Sequence, residues 1–388
     1  MNGPETPSPP PPTPRGTRRV DAARHLLKPH QFRESMAVSP QPSLRNAALV
    51  GVQTSLAAAL VLPFMHLSPW PQLIGYAALG TLVGLFGRFA PQARRGRIVL
   101  MAALLQVATI FFMSMAAWLG LPVVGQLILL SIGAGLLFFA ATTGQFGPPG
   151  ALIFIFAASA CIGQVDAGMV VLERTAATAA AAALTLLICL LTERLRHHGT
   201  DAAPLPVEQL RPVGHRIIAA ARMAMGAGVA TLLAHAAGMA HPAWAGMGAV
   251  AVMQGTHLHV SMNRALQRMA GTILGAMLVW LILVQTPSVW TVIALLIVIQ
   301  IATEVVIGTN YAFGQILVTP MALLMSYLAA PGVAGAAMAP ERVVDTLIGA
   351  VIGIAFAVLF STLDDRAHLA HHHARRSGDP RNDDGETR

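Results

Sequence analysis

The stretch Leu172-Glu173-Arg174-Thr175-Ala176-Ala177-Thr178 returns 168 residues later as Pro340-Glu341-Arg342-Val343-Val344-Asp345-Thr346. Each version opens a long apolar run. Two further landmarks recur in the same order. Ser68-Pro69-Trp70 returns as Pro242-Ala243-Trp244, with the tryptophans 174 apart, and Phe146-Gly147 returns as Phe313-Gly314, 167 apart. Working outward from these anchors, residues 45–193 and 215–362 each divide into six apolar segments. An even number of segments places both copies in the bilayer the same way up. The expected fold is therefore an all-α integral membrane protein of about twelve transmembrane helices, built as two parallel six-helix repeats with a path between them.

Composition agrees with that class. Hydrophobic residues are 55% of the 388 and charged residues 11%, against about 25% charged in soluble domains. A soluble chain of this length needs far more polar surface to cover itself. The net charge of +8 comes mainly from arginines at segment ends, with no basic face rich in accessible aromatics, so nucleic acid is not an expected partner. Lys28 is the sole lysine, which excludes a Walker A loop and Schiff-base chemistry. Uphill transport would then need an ion gradient or a partner subunit. Cys161 and Cys189 both fall in apolar segments and read as small core residues.

A span needs about 20 apolar residues to cross a bilayer core. On that rule the first copy divides at 46–65, 70–88, 98–119, 122–141, 150–165 and 168–192, the fifth being short. The second divides at 216–237, 242–260, 266–285, 289–307, 312–329 and 342–362. The connections sort by charge. One side collects Arg88, Arg94, Arg95, Arg97, Arg194, Arg196, Arg211, Arg216, Arg264, Arg268 and both tails, whereas Arg174 and Arg342 are the basic residues of the other. The positive-inside rule makes the first side cytoplasmic, with both termini in, and the inner (plasma) membrane the expected location. Residues 1–44, rich in proline, and 363–388, polar, read as disordered cytoplasmic tails, the first without the apolar core of a signal peptide. The polar stretch 194–214 reads as a cytoplasmic linker.

The second copy carries His241-Pro242-Ala243-Trp244, then Arg264, Arg268-Met269-Ala270-Gly271-Thr272 and Gly275, then Glu341-Arg342-Val343-Val344-Asp345-Thr346-Leu347-Ile348-Gly349. In this ordered combination, over about 150 residues, it resembles the fusaric acid resistance and aromatic acid exporter family. The first copy resembles it more faintly: Pro69-Trp70 and Glu173-Arg174 persist, but Ala177 stands where Asp345 would be. The sizeable cytoplasmic domains of many members have no counterpart here. The resemblance implies an inner-membrane exporter of small aromatic or other organic acids, and plant relatives leave a passive anion channel open.

The same residues carry physical readings. Gly271 with Gly275, and Gly349 with Gly353, are spaced for close helix packing. Trp70 and Trp244 fall at outer span ends, as headgroup anchors or, for Trp244, as a wall for an aromatic ligand. Glu173-Arg174 and Glu341-Arg342 admit a latch between copies, Glu173 to Arg342 and Glu341 to Arg174, or two solvated helix ends. Asp345 shares a helical stripe with Glu341 and Arg342, and either binds the coupling proton or pairs with Arg342. Arg222, two turns into its span, and Arg268, opening another at the cytoplasmic face, are candidates for attracting an anion. Glu304 is a partner for either.

His257-Leu258-His259 falls short of a ligand set, so no metal is expected, nor any cofactor. The leading expectation is a secondary exporter of small organic acids driven by proton influx. A passive channel and a major-facilitator-type transporter are the alternatives. The latter is disfavoured because the basic loop 87–97 has no Asp. A membrane enzyme would need a motif such as HExxH or Gly-x-Ser-x-Gly, and neither occurs. Lipid and a small organic acid are the expected partners. A periplasmic adaptor subunit and a homo-oligomer stay open.

Overall fold

The computed structural model describes residues 41–197, 210–254, 258–329 and 335–360. The expected disordered tails and most of the expected linker lie outside the described residues. Within them there are twelve α-helices and no strands. The first half has α1 (Leu44–Leu67), α2 (Ile74–Thr81), α3 (Gln92–Trp118), α4 (Val123–Thr143), α5 (Leu152–Ser159) and α6 (Gly168–Leu191). The second has α7 (Val213–Ala236), α8 (Ala243–Met253), α9 (Leu258–Leu283), α10 (Val289–Val306), α11 (Tyr311–Ala329) and α12 (Met338–Leu359). Ser43 caps α1 and Ser288 caps α10, each hydroxyl accepting from the backbone N–H three residues on.

Nine of these helices are long and apolar enough to cross a membrane; α2, α5 and α8 are not. The chain is a multi-pass, all-helical membrane protein. The expected full spans at 70–88, 150–165 and 242–260 are corrected to short helices. The first breaks into a 3-10 turn at Pro71–Leu73, α2, and a second turn at Leu82–Leu85. Gly87 ends it at φ +69, its N–H donating to the Phe146 carbonyl at 3.0 Å. Such a conformation is open to glycine and strained for most residues. α5 starts late because Pro148 and Pro149 intervene and cannot donate to a helix ladder. Every residue of α2 and of α8 is buried. Irregular backbone at membrane depth is tolerated where protein covers it.

The helices pack in matched pairs. α2 lies on α6 as α8 lies on α12, and α3 lies on α6 as α9 lies on α12. Between halves, α1 packs on α10 and α7 on α4, while α2 touches α11 and α8 touches α5. Small residues make these contacts. A Cβ on Gly80 would meet the Thr178 carbonyl and Ala181; one on Gly248 would meet the Thr346 carbonyl and Gly349. Gly349 and Gly353 face Ala245 and Ala249 of α8, and Gly271 and Gly275 lie against α11 at Gln315 and Ile316.

The seam between halves carries small polar groups. Ser55 donates to the Ile297 carbonyl at 3.1 Å, and Ser131 meets Thr231 at 3.4 Å. A cavity of about 20 Å³ touches Thr54, Thr81 and Gln300, room for about one water. The one ion pair found across the seam among the described residues is Arg88 with Glu304, both buried. Glu304 is thus taken by Arg88, not by Arg222 or Arg268 as the sequence suggests.

A second network braces the loop after α2. Arg95 donates to Gln53 at 2.6 Å and to Glu193 at 3.1 Å. Glu193 also holds Arg196 at 2.8 Å, and Arg196 donates to the carbonyls of Arg88 (2.8 Å) and Ala90 (3.0 Å). Burial pulls the Arg196 guanidinium below its ordinary value, and the hydrogen bond it donates to Glu193 opposes that shift.

Two outcomes follow for thermal unfolding in detergent. Gly349→Val, which drives a side chain into the Ala245 carbonyl, should cost about 1–3 kcal/mol or more. Gly133→Val, where an added Cβ meets nothing within 4 Å, should leave the transition unmoved. Glu304→Gln should cost about 3–5 kcal/mol by leaving Arg88 buried without its counter-charge, and the double change Arg88→Met/Glu304→Met should recover most of it.

Candidate functional site

α8 opens at Pro242, and the three-residue spacing brings His241 and Trp244 together. Their rings stack with centroids 4.2 Å apart and planes 9° apart. His241 Nδ1 lies 2.8 Å from a carboxylate oxygen of Glu341 on α12, a contact that becomes an ion pair when the imidazole is protonated. The next residue, Arg342, is 5% exposed, and its guanidinium carbon sits 5.0 Å from the Trp244 ring centroid. That is cation–π range, and desolvation strengthens the attraction. Glycines set this geometry: Gly349 and Gly353 let α12 approach α8 closely enough for Arg342 to reach the ring.

One turn further, Asp345 is fully buried. Neither of its carboxylate oxygens has a hydrogen-bond partner, and the same holds for Nε and Nη1 of Arg342 and for the Thr346 hydroxyl. From α9, Arg268, 4% exposed, donates to Tyr311 Oη at 3.3 Å and to Gln315 Oε1 at 3.4 Å. Arg342 is repelled by Arg268 and attracted by Asp345. With Glu304 engaged by Arg88 and Glu341 by His241, the cluster holds two buried guanidiniums against one buried carboxylate. It is a positively biased, partly aromatic site with unspent hydrogen-bonding capacity.

Several expectations change here. Trp244 is not a headgroup anchor: it is 5% exposed, whereas Trp70 is 49% exposed. Tyr76, 168 residues before Trp244, has the Arg174 guanidinium carbon 4.8 Å from its ring centroid. Arg174 also precedes Arg342 by 168. The Trp70-to-Trp244 offset of 174 differs from this one by six residues. The latch between copies is not formed: each arginine lies on the aromatic ring of its own half, and Glu341 faces His241. Glu173 is half-buried. Arg268 does not open its helix, because α9 begins ten residues earlier at Leu258, and His259 is already helical; His257 lies outside the described residues. Arg222 is half-buried on α7. The sequence reading passed over His241, Tyr311 and Gln315 as site residues. Only the His241-to-Trp244 spacing signalled one of them; Tyr311 and Gln315 are brought in by the α9–α11 contact.

Residues 229–356 match the family model described as fusaric acid resistance protein-like. A relative, the uncharacterized membrane protein YvaC of Bacillus subtilis (strain 168), is 32% identical over 125 residues, which is 32% of this chain and 20% of the relative. The chain thus matches about a fifth of that protein's length. No solved structure matches the chain. The matched segment runs from α7 into α12 and contains Trp244, Arg268, Arg342 and Asp345. The similarity to the fusaric acid resistance-like family thus lies in the second half of this chain, over about a third of its length.

Proposed function

We propose that the protein exports small organic acids, aromatic ones preferentially, across the inner membrane, with both termini cytoplasmic and the helices arranged as two parallel six-helix repeats. The repeat reading is supported by the matched helix pairs and by the Arg174–Tyr76 and Arg342–Trp244 contacts at a common offset. The observation that carries the transport reading is the buried group of Arg268, Arg342 and Asp345 beside Trp244 and Tyr311. An unpaired ionised group inside a span costs several kcal/mol, about 2.5–3.5 on insertion scales, so such groups mark substrate or ion pathways. The excess guanidinium charge suits a carboxylate, and the neighbouring rings suit an aromatic body.

Asp345 is the coupling group in this reading. Its carboxylate and the substrate's compete for the same guanidiniums, so a proton on Asp345 frees both arginines for the anion. Proton and anion then load together. Leaving with a proton makes the anion's exit electroneutral, so the membrane potential adds no drive and the gradients of the acid and of the proton set the direction of net flux. Arg222 lies outside the cluster and is assigned to the entrance.

Reconstituted liposomes with an imposed pH difference and a panel of aromatic and aliphatic acids test the proposal. Flux of an aromatic acid should exceed that of an aliphatic acid of equal charge, and anion affinity should rise as pH falls. Asp345→Asn, which mimics the protonated form, should abolish that pH dependence while keeping binding; full retention of the dependence would remove the coupling role. Arg268→Ala should cut flux at least tenfold. Flux that never exceeds the electrochemical gradient of the anion would identify a passive channel instead. Trp244→Leu should weaken both transport and thermal stability, the latter by about 1–2 kcal/mol from the lost cation–π contact, and Trp244→Phe should restore part of each.

A further inference from the structure

The two halves differ in their fifth helices, α5 and α11. α11 runs for 19 residues, and its first turns fill the space beside α9 against Gly271 and Gly275. α5 has 8 residues. The stretch 144–150 before it is a loop, with Gly147 at φ +70 and Gly150 at φ +67. What that loop leaves unfilled is a cavity of about 660 Å³ between α3 and α4.

One wall of the cavity is a stripe of α3. Arg94, Arg97, Ile98, Met101 and Leu105 all line it, and their spacing keeps them on one helical face. The stripe is charged over its first turn and apolar over the next two. Opposite, Phe139 and Ala140 of α4 line the apolar part and Thr143 the polar end. No acidic residue lines the cavity among the described residues. Arg94 donates to Gln145 at 3.2 Å, and Arg97 is exposed. At the rim, Arg216 of α7 donates to Thr143 at 2.6 Å, with its guanidinium 5.6 Å from the Phe139 ring. The neighbouring outward residues are lipid-like in character: Leu104 is 61% exposed and Leu136 66%.

A basic head leading into an apolar throat, on the lipid-facing side of two spans, is complementary to an anionic amphiphile. Basic pockets between membrane helices at the charged end of the bundle bind acidic headgroups by this means. We infer that the cavity binds one anionic phospholipid, its phosphodiester held by Arg94 and Arg97 and the upper part of one acyl chain lying along Ile98, Met101 and Leu105. The site shares no residue with the Arg268–Arg342–Asp345 cluster, so it stands or falls separately from the transport reading.

Native mass spectrometry of the full chain, delipidated in detergent and titrated with phosphatidylglycerol or phosphatidylcholine of identical chains, tests this inference. One phosphatidylglycerol per chain should bind at least tenfold more tightly than phosphatidylcholine. Arg94→Gln/Arg97→Gln, at exposed positions that should leave the melting temperature unchanged, should erase that preference. Ala140→Leu, which narrows the apolar throat, should weaken retention with both arginines intact. Equal binding of the two lipids, or unchanged phosphatidylglycerol binding by the double variant, would overturn the inference. So would displacement of the lipid by millimolar 4-hydroxybenzoate, which would give the cavity to a transported acid. Competition by inorganic phosphate at the same affinity as the lipid would show that the apolar throat is not used, and would also overturn it.

Discussion

Close backbone approach between small-residue faces is the constraint on which the rest of this molecule depends. Apolar side chains gain little by meeting each other rather than lipid tails, so helices in a bilayer hold together where their backbones can come near. Gly248 on Thr346 and Gly349 on Ala245 supply that approach between α8 and α12, as Gly80 on Thr178 does between α2 and α6. The consequence is that α2 and α8 are enclosed by protein along their whole length. Enclosure is what permits them to be short.

From that packing comes the placement of charge. The first turn of α8 presents Trp244 beneath the first turns of α12, so Arg342 is laid on an indole instead of reaching water. The same contact exists in the first half between Tyr76 and Arg174. Yet the halves are not chemically equivalent. In the first half Ala177 replaces the buried acid, Leu73 stands where His241 would be, and Arg95 is answered by Gln53 and Glu193. In the second half Arg268, Arg342 and Asp345 keep polar atoms without partners. Buried polar atoms without partners occur in the first half too, Arg95 Nε and Gln106 Oε1 among them, but the second half gathers two such guanidiniums and a carboxylate near one indole. The family match falls on that second half.

A different asymmetry governs the bundle's outer face. Pro148, Pro149 and two left-handed glycines delay α5, and the resulting void lies beneath an arginine stripe. Arg88, drawn across the seam to Glu304, ties that region to the second half. A charge that reads as a loop residue of one half is thus a fastener between the two.

The sequence by itself determined the class, an all-helical membrane protein, and the approximate places of its long helices. Apolar length is a local signal, and it located the long helices, with ends displaced by up to eight residues, while three expected full spans are short helices. Asp345 was legible for the same reason: a lone acid in an apolar run is conspicuous wherever the helix packs. What only the tertiary structure decided was which charges meet. Glu304 went to Arg88, Glu341 to His241, and Arg342 to Trp244, because partner choice depends on which helix faces touch across tens or hundreds of residues. The shortness of α2 and α8 was hidden too, since burial by other helices stabilises a broken segment that local hydropathy reads as a full span.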